Sequence, residues 1–400
     1  MTVDDSATAR NSVIVVGAGP VGLLIALRLA QAGIHVKVLE KEHDLSDAPR
    51  AAGYFGGALL ALKRAGLLEK VISLGFTGRG IAWRKPLTDD GLGGKRMGDV
   101  IARLCFPVDS VTLDGTDAIV TLRQSILARL VFNEALNTGL VNAHFDMELV
   151  GIDDGGDSVV VTARGSDGAT HLFHGQYLVG ADGGRSATRK LLGISFKGHT
   201  WPEKLVAIDV LTQGAALDPQ FQTTMIIHPV HFGVITPLEK PQEGKPTLFR
   251  CAVALHPNDA RSDEELVSEE SLSSLLDQML PGPRPLPARV PVGALGLTTG
   301  ILDAEAAADA LDLIINEGRP LKTLEIYSDA RRKAFQTFVN PISAENKLRI
   351  ANDPDNAVED WFLRAMLKPT PEIMEEFSRP YLSVWRTDMR KEIRRMSPLS

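Results

Sequence analysis

Cysteine is scarce in this sequence. Cys105 and Cys251 are the two cysteines among 400 residues, which argues against the disulfide framework that holds small secreted domains together. The formal net charge of −7 argues against nucleic acid or an anionic membrane as a partner. The sequence also lacks a signal peptide and an uninterrupted apolar run of the ~20 residues that a membrane span needs. We therefore expect a soluble, cytoplasmic protein with two domains, or with one large α/β domain that carries an insertion.

The sequence also lacks the clustered side chains of a metal site. Two histidine pairs have the spacing H-x-x-H, namely His171 with His174 and His228 with His231. Both pairs lie in strand-like segments, where residues three apart point to opposite faces of a sheet. Neither cysteines nor grouped carboxylates accompany them, so we predict no metal site.

A continuous series of local patterns occupies residues 13–41. Residues 13–16 are β-branched, which favours a buried parallel strand, and a helix-like pattern of apolar residues follows. Gly33 stops that helix, and a second strand, residues 35–39, ends at Glu40. Between the first strand and the helix lie the glycines of a G-x-G-x-x-G motif: Gly17, Gly19 and Gly22. Strand, glycine turn, helix, strand and acid together predict a dinucleotide-binding Rossmann unit.

Each conspicuous residue of this unit has a physical task. Gly17 permits the tight turn, Gly19 lets the backbone approach a pyrophosphate, and Gly22 lets the helix pack close to the strand. The start of the helix offers free N–H groups and partial positive charge to that pyrophosphate. Glu40 can accept hydrogen bonds from ribose hydroxyls and would repel a 2′-phosphate. The predicted dinucleotide is therefore FAD or NAD rather than NADP.

Two further segments carry candidate cofactor contacts. Arg50 could lie over phosphates, and the small residues around it, including Gly53, would let the backbone pass near a cofactor; the alternative is a solvated loop arginine. Arg123 and Gln124 begin a predicted helix, where they could hold phosphate and ribityl oxygens. The alternative for these two is a helix start that meets only solvent.

Two later turns add candidates. Asp182 follows a predicted strand, at the edge where α/β sheets place ligand-binding groups, although an Asp-Gly turn without a ligand would look the same. Residues 291–300 form a second glycine-rich loop, which we expect to lead into a helix over residues 303–317. Backbone N–H groups of this loop, near Gly293 and Gly296, could face a flat ring.

The remaining patterns define the fold class. Residues 144–180 predict a β-meander, residues 199–256 an antiparallel sheet, and residues 263–280 a helix with Ser262 as its N-cap. Another long helix is predicted over residues 320–338. We expect an α/β fold in which a Rossmann-like domain carries an inserted, mainly antiparallel β domain and is followed by C-terminal helices.

Four of these stretches, in this order, resemble motifs of the FAD-dependent aromatic hydroxylases, the single-component flavoprotein monooxygenases that include 4-hydroxybenzoate and phenol hydroxylases. GAGPVG with Glu40 resembles the first motif, and Arg123-Gln124 resembles the Arg-Gln pair at the flavin. Residues 177–194, YLVGADGGRSATRKLLGI, resemble the Asp-Gly motif, which is thought to serve both FAD and NADPH. Residues 291–304 resemble the loop and helix start under the isoalloxazine ring.

The resemblance implies an FAD-dependent monooxygenase that uses NADPH and O₂ to hydroxylate a phenolic or polyketide-like aromatic compound. The absence of a C-x-x-x-x-C pair excludes flavoenzymes of the disulfide-reductase type, and a single G-x-G-x-x-G fits a family that has no separate NADPH domain. The implied division has an FAD-binding domain, a substrate domain and a C-terminal helical segment. The FAD-binding domain would comprise residues 1–75, 113–190 and 284–346. The substrate domain would comprise residues 76–112 and 191–283, and the C-terminal helical segment residues 347–400.

One family motif has no counterpart here. The family carries a strand that ends in Gly-Asp, followed by Ala-Ala-His, just before the loop under the flavin. The Gly-Asp pairs of this sequence, at residues 98–99 and 156–157, lie in other contexts. The missing motif keeps one alternative open, a truncated, non-catalytic family member. A flavoprotein of the same fold with other redox chemistry is a second alternative.

Overall fold

The computed structural model describes residues 2–3, 12–48, 50–78, 80–105, 118–213, 223–242, 245–266, 268–282 and 297–396. Strands and helices are numbered here in chain order. No helix in these ranges is both long and apolar enough to cross a membrane.

A parallel sheet lies at the centre of the dinucleotide-binding unit. Its strands, in spatial order, are β11 (Val141–His144), β3 (His35–Leu39), β2 (Ser12–Val16) and β15 (Tyr177–Gly180). Every residue of β2 is buried, as expected for a parallel strand that is covered on both faces. Helix α1 (Pro20–Gln31) follows β2, and α4 (Gln124–Asn137) precedes β11.

Strand β15 corrects one prediction. We expected it to be the last strand of a meander, but it pairs in parallel with β2, with Tyr177 opposite Val13. The meander consists of β12 (Met147–Asp154), β13 (Val159–Gly165) and β14 (Thr170–Gly175), and β1 (Thr2–Val3) joins it beside β14. The chain changes sheets at Gly175, where a Cβ atom would lie 2.8 Å from Cγ1 of Ile14. Glycine therefore permits the close passage that takes β15 into the parallel sheet.

A six-stranded sheet contains segments from two separate parts of the chain. Its strands, in spatial order, are β16 (Leu205–Gln213), β19 (Pro246–Ala254), β18 (Gly233–Pro237), β17 (Thr223–Ile226), β6 (Gly80–Arg84) and β9 (Val100–Cys105). Its described strand pairs are antiparallel except β17 with β6, which are parallel. The prediction of a mainly antiparallel inserted sheet is therefore confirmed.

One face of this sheet packs against helix α7 (Glu269–Met279). Phe249, Cys251 and Val253 of β19 pack there with Leu276 and Met279. The helix predicted over residues 263–280 is in fact two helices, because α6 (Asp263–Leu266) ends before α7 begins. Ser262 caps α6 as predicted, and the cap is reciprocal. The Glu265 N–H donates to Ser262 Oγ and the Ser262 N–H to a Glu265 carboxylate oxygen.

Smaller elements complete the described chain. Strand β10 (Ile119–Thr121) pairs with β4 (Gly53–Phe55) and β5 (Phe76–Gly78), while β7 (Thr88–Asp89) and β8 (Lys95–Arg96) form a hairpin. The remaining α-helices are α2 (Gly57–Arg64), α3 (Leu68–Leu74), α5 (Ala187–Leu191), α8 (Leu297–Ile315), α9 (Lys322–Ala334), α10 (Asn340–Ile350), α11 (Trp361–Met366), α12 (Pro371–Ser383) and α13 (Met389–Met396). A short 3-10 helix, Ala357–Glu359, precedes α11.

Two predicted helix boundaries were wrong. Helix α8 begins at Leu297 rather than at residue 303, so part of the expected glycine-rich loop is helical. Gly300 lets this part of α8 pack closely against α1, because a Cβ atom at residue 300 would lie only 2.6 Å from Cγ2 of Val21. The helix expected over residues 320–338 ends at Ala334 and passes through a π-helical turn, Phe335–Val339, into α10.

The C-terminal helices contact both larger parts of the molecule. Phe362 of α11 packs edge-on against Trp83 of the six-stranded sheet, with 5.4 Å between ring centroids. Tyr381 of α12 packs in the same manner against Phe55 of β4, at 5.9 Å. The segment therefore connects the six-stranded sheet to the dinucleotide-binding unit.

Candidate dinucleotide site

The turn between β2 and α1 is shaped by two glycines that the protein itself requires. Gly17 has φ +104°, a conformation that favours glycine, and a Cβ atom there would lie 2.5 Å from the Ala181 carbonyl oxygen. A Cβ atom on Gly22 would lie 2.0 Å from the Gly17 carbonyl oxygen. The tight turn and the close helix approach that the sequence predicted are therefore both present.

Gly19 differs from these two glycines. It is the N-cap of α1, has extended backbone angles, and receives no side-chain capping bond. A Cβ atom on Gly19 would have no described protein atom within 4 Å. Open space thus adjoins the start of a buried helix, where backbone N–H groups and the helix dipole favour an anion. This geometry fits the pyrophosphate of a dinucleotide.

Glu40 lies beside the same turn, directly after β3. One carboxylate oxygen accepts a hydrogen bond from the Ala18 N–H at 2.7 Å, and the other accepts from the Glu42 N–H at 3.1 Å. The side chain is half-buried, and a carboxylate has further lone pairs for ribose hydroxyls. Its negative charge at this position also opposes a 2′-phosphate.

Asp182 reaches the same edge of the sheet but is used locally. Its carboxylate accepts hydrogen bonds from the Ser186 hydroxyl at 2.6 Å and from the Thr188 N–H at 2.9 Å. Burial raises the pKa of Asp182, but these hydrogen bonds outweigh it and the net pKa is lowered. The aspartate therefore orders the turn into α5, and its predicted role at the cofactor stays a prediction.

A second group of candidates meets around the loop that precedes β4. The Ala51 carbonyl accepts a hydrogen bond from the Gln124 N–H at 3.1 Å, and the Ala52 carbonyl accepts one from the Leu122 N–H at 2.7 Å. These bonds bring Arg50 and Gly53 next to Arg123 and Gln124. The Arg50 and Arg123 residues are exposed, and a Cβ atom on Gly53 would make only ordinary contact, 3.7 Å from Ile119.

Sequence reasoning missed an ion pair on the other side of this loop. Asp209 and Arg250 are 7% and 6% exposed, and the guanidinium binds both carboxylate oxygens at 2.7 Å. The remaining terminal nitrogen of Arg250 donates to the Arg50 carbonyl oxygen. A signal was present in the sequence, because each charged residue interrupts an otherwise apolar strand pattern, which is expensive unless the charge is paired.

Gly293 and Gly296 lie outside the described residues. Gly98 lies between β8 and β9, and Gly156 lies in the turn between β12 and β13, so neither Gly-Asp pair is at the parallel sheet. Within the described ranges β15 forms an edge of that sheet. His171 and His174 lie on β14 as expected. The strand context predicted for His228 and His231 is wrong, because both lie in the connection between β17 and β18.

The fold and the site together define a dinucleotide-binding α/β protein with a large inserted sheet. A family model described as "FAD binding domain" matches residues 10–280. The chain belongs to this family, and within it to the FAD-dependent aromatic hydroxylases, which are oxidoreductases of the monooxygenase class.

Named relatives resemble nearly the whole chain. Para-nitrophenol 4-monooxygenase of Pseudomonas sp. (strain WBC-3) is 30% identical over 384 residues, which cover 88% of this chain and 90% of that protein. The 6-hydroxy-3-succinoylpyridine 3-monooxygenase HspB of Pseudomonas putida (strain DSM 28022 / S16) is 30% identical over 88% of this chain and 92% of that protein. The crystal structure of p-nitrophenol 4-monooxygenase PnpA from Pseudomonas putida DLL-E4 superimposes with a TM-score of 0.78 and 27% identity, covering 93% of this chain and 97% of that chain.

Proposed function

We propose that this protein uses NADPH and O₂ to hydroxylate an aromatic ring, with FAD bound at the glycine turn. The observation that carries the proposal is the open space at Gly19, which adjoins the start of α1 and the Glu40 carboxylate. Family membership supports FAD as the dinucleotide. When bound, FAD would supply the redox chemistry and the activation of O₂.

The residues of this chain would divide the binding of FAD between two places. The turn at Gly17, Gly19 and Gly22 would hold the pyrophosphate, and Glu40 would hold ribose hydroxyls. Arg50, Gly53, Arg123 and Gln124 would meet the cofactor from the neighbouring loop and helix start, where their backbones are tied together. Asp182, Gly293 and Gly296 complete the proposed set of contacts.

NADPH would bind without a Rossmann unit of its own. The sequence has one G-x-G-x-x-G motif, and Glu40 beside it would repel the 2′-phosphate of NADPH. The reductant is therefore expected to reach the flavin from outside this turn.

The substrate would lie against the six-stranded sheet, on the face that carries Arg250. Thr236 is directly opposite Arg250 on the neighbouring strand, and the Thr223 hydroxyl lies 2.9 Å from the Thr236 hydroxyl. Both threonines are half-buried. Their hydroxyl groups could orient the oxygen of a phenol toward the cofactor loop, and residues 76–112 and 191–283 would then form the substrate domain.

The names of two relatives narrow the substrate class that we propose. One names oxygenation at carbon 4 of 4-nitrophenol, and the other at carbon 3 of 6-hydroxy-3-succinoylpyridine. In both names the oxygenated carbon bears an electron-withdrawing group and lies para to a ring hydroxyl. We therefore expect a phenol or hydroxypyridine with such a para substituent. The substituent must leave the ring when its carbon is oxygenated, as a nitro group would leave as nitrite with formation of a quinone.

The test begins with the visible spectrum of the purified 400-residue chain after incubation with FAD. A stoichiometric flavin spectrum is expected, followed by NADPH oxidation that para-substituted phenols stimulate and by ¹⁸O from ¹⁸O₂ in the product. NADH serves as the matched reductant control. A folded but colourless protein would favour the non-catalytic alternative. Bound flavin without oxygen transfer to any ring would favour other redox chemistry.

A further inference from the structure

The Asp209–Arg250 pair is built to direct one nitrogen atom. The two residues are directly opposite each other on β16 and β19, and the carboxylate engages Nε and Nη2 of the guanidinium at 2.7 Å each. This fork geometry fixes the plane of the guanidinium. Nη1 is then left pointing away from Asp209, and it donates to the Arg50 carbonyl oxygen.

Residues 50–52, the Arg50 loop, are thereby held from two sides. The Ala51 and Ala52 carbonyls are held by backbone N–H groups of Gln124 and Leu122, which belong to the dinucleotide-binding unit. The Arg50 carbonyl is held by Arg250, which belongs to the six-stranded sheet. Without Arg250, the Arg50 end of the loop would lose its anchor while the following two residues kept theirs.

Stability alone is a weak reason for such a pair. Two charges in a nearly dry interior lose much of their hydration, and well-packed apolar replacements are often as stable. The Tyr54 hydroxyl is also buried close by, and it has no hydrogen-bond partner within the described chain. The junction is therefore more polar than packing requires, which is a feature of sites where geometry is held for function.

We propose that Asp209 and Arg250 are positioning residues that hold the Arg50 loop in the conformation that receives FAD. Asp209 orients the guanidinium, and Arg250 fixes the Arg50 backbone so that its exposed side chain faces the cofactor. The inference rests on the proposed function, since it takes FAD as the ligand of this loop.

The experiment compares Arg250→Lys with a matched control, Arg349→Lys. Arg349 is also buried, with 5% of its surface exposed, and its Nε lies 2.9 Å from a carboxylate oxygen of Asp360. In this second pair, Arg349 lies on α10 and Asp360 directly precedes α11. Lysine keeps the charge at residue 250 but cannot bind Asp209 through a fork and reach Arg50 as well. We expect FAD affinity, measured by flavin fluorescence titration, to fall about tenfold or more in Arg250→Lys and to stay unchanged in Arg349→Lys.

A second readout works without flavin. Hydrogen exchange of peptides covering residues 48–56 in the ligand-free chain should be faster in Arg250→Lys and in Asp209→Asn than in wild type or Arg349→Lys. Unchanged exchange in this region would overturn the inference, as would equal losses of FAD affinity in the Arg250 and Arg349 variants. If wild type binds no FAD, the proposed function fails, and the exchange result still decides whether the pair positions the loop.

Discussion

The Gly19→Ala substitution should weaken dinucleotide binding while leaving the fold intact. Alanine can adopt the backbone angles of Gly19, φ −70° and ψ 168°, and its methyl group would meet no described protein atom within 4 Å. A pyrophosphate bound at the start of α1 would meet that methyl group. We therefore expect Gly19→Ala to fold normally and to bind FAD poorly.

The magnitudes follow from the local geometry. Alanine is a weaker N-cap than glycine, so the free energy of unfolding should fall by about 0.5–1 kcal/mol. A methyl group forced against the pyrophosphate resembles overpacking, which costs about 1–3 kcal/mol. FAD affinity should therefore fall by about 5- to 150-fold.

Gly22→Ala is the matched variant with the opposite expectation. Its methyl group would lie 2.0 Å from the Gly17 carbonyl oxygen, so the ligand-free protein must shift backbone to accept it. The assay measures chemical unfolding of the ligand-free chains and FAD titration of each. Gly22→Ala should lose several times more stability than Gly19→Ala.

Two results would refute this reasoning. If Gly19→Ala binds FAD with the wild-type dissociation constant, the pyrophosphate does not occupy the space next to Gly19. If Gly19→Ala destabilises the ligand-free chain as much as Gly22→Ala does, its surroundings are not open.

Three further predictions concern the scaffold. Glu305→Ala removes a carboxylate of a residue that is 1% exposed and accepts hydrogen bonds from two arginines, so the free energy of unfolding should fall by about 3 kcal/mol. Glu359→Ala, at an exposed residue, is the control and should change that free energy by less than about 0.5 kcal/mol. Tyr54→Phe removes a buried hydroxyl without a described partner, so stability should hold or rise by up to about 1 kcal/mol, and a clear loss would reveal a hydrogen bond. Burial, with a smaller contribution from His231, lowers the pKa of His228, whose Nδ1 accepts two backbone N–H groups. Because the pKa of His228 is lower in the folded state, the unfolded state binds more protons, and the free energy of unfolding of the wild type should fall as pH drops below about 6.5. His228→Asn should flatten that pH dependence. Equal slopes of unfolding free energy against pH for both chains would contradict the prediction.

Local patterns were sufficient to predict the dinucleotide unit. The two strands and the helix of residues 13–39 have their own periodicity and their own stop signal, so their structure follows from neighbouring residues. The partner of β15 could not be predicted in this manner. Its pairing with β2 depends on a close passage at Gly175 against Ile14, which involves residues far apart in sequence.

The candidate site shows the same division. Gly17, Gly22 and Glu40 follow from one motif whose geometry is local. Bringing Arg50 next to Gln124 requires the pairing of two loops, and Asp209 with Arg250 requires the register of two strands. The role of Asp182 at the cofactor stays a prediction, and only the folded turn reveals that its carboxylate also accepts hydrogen bonds from Ser186 and Thr188.

The packing of α8 on α1 has a consequence for synthesis of the protein. Gly300 of α8 fits against Val21 of α1, so the apolar surface of α1 is covered by a helix that lies about 270 residues later in the chain. At about 5–20 residues per second, a ribosome needs roughly 15–50 seconds to add those residues. We therefore expect nascent α1 to expose part of its apolar surface during that interval, which is the kind of surface that chaperones protect. The glycine motif before α1 is therefore synthesised long before its helix is fully buried.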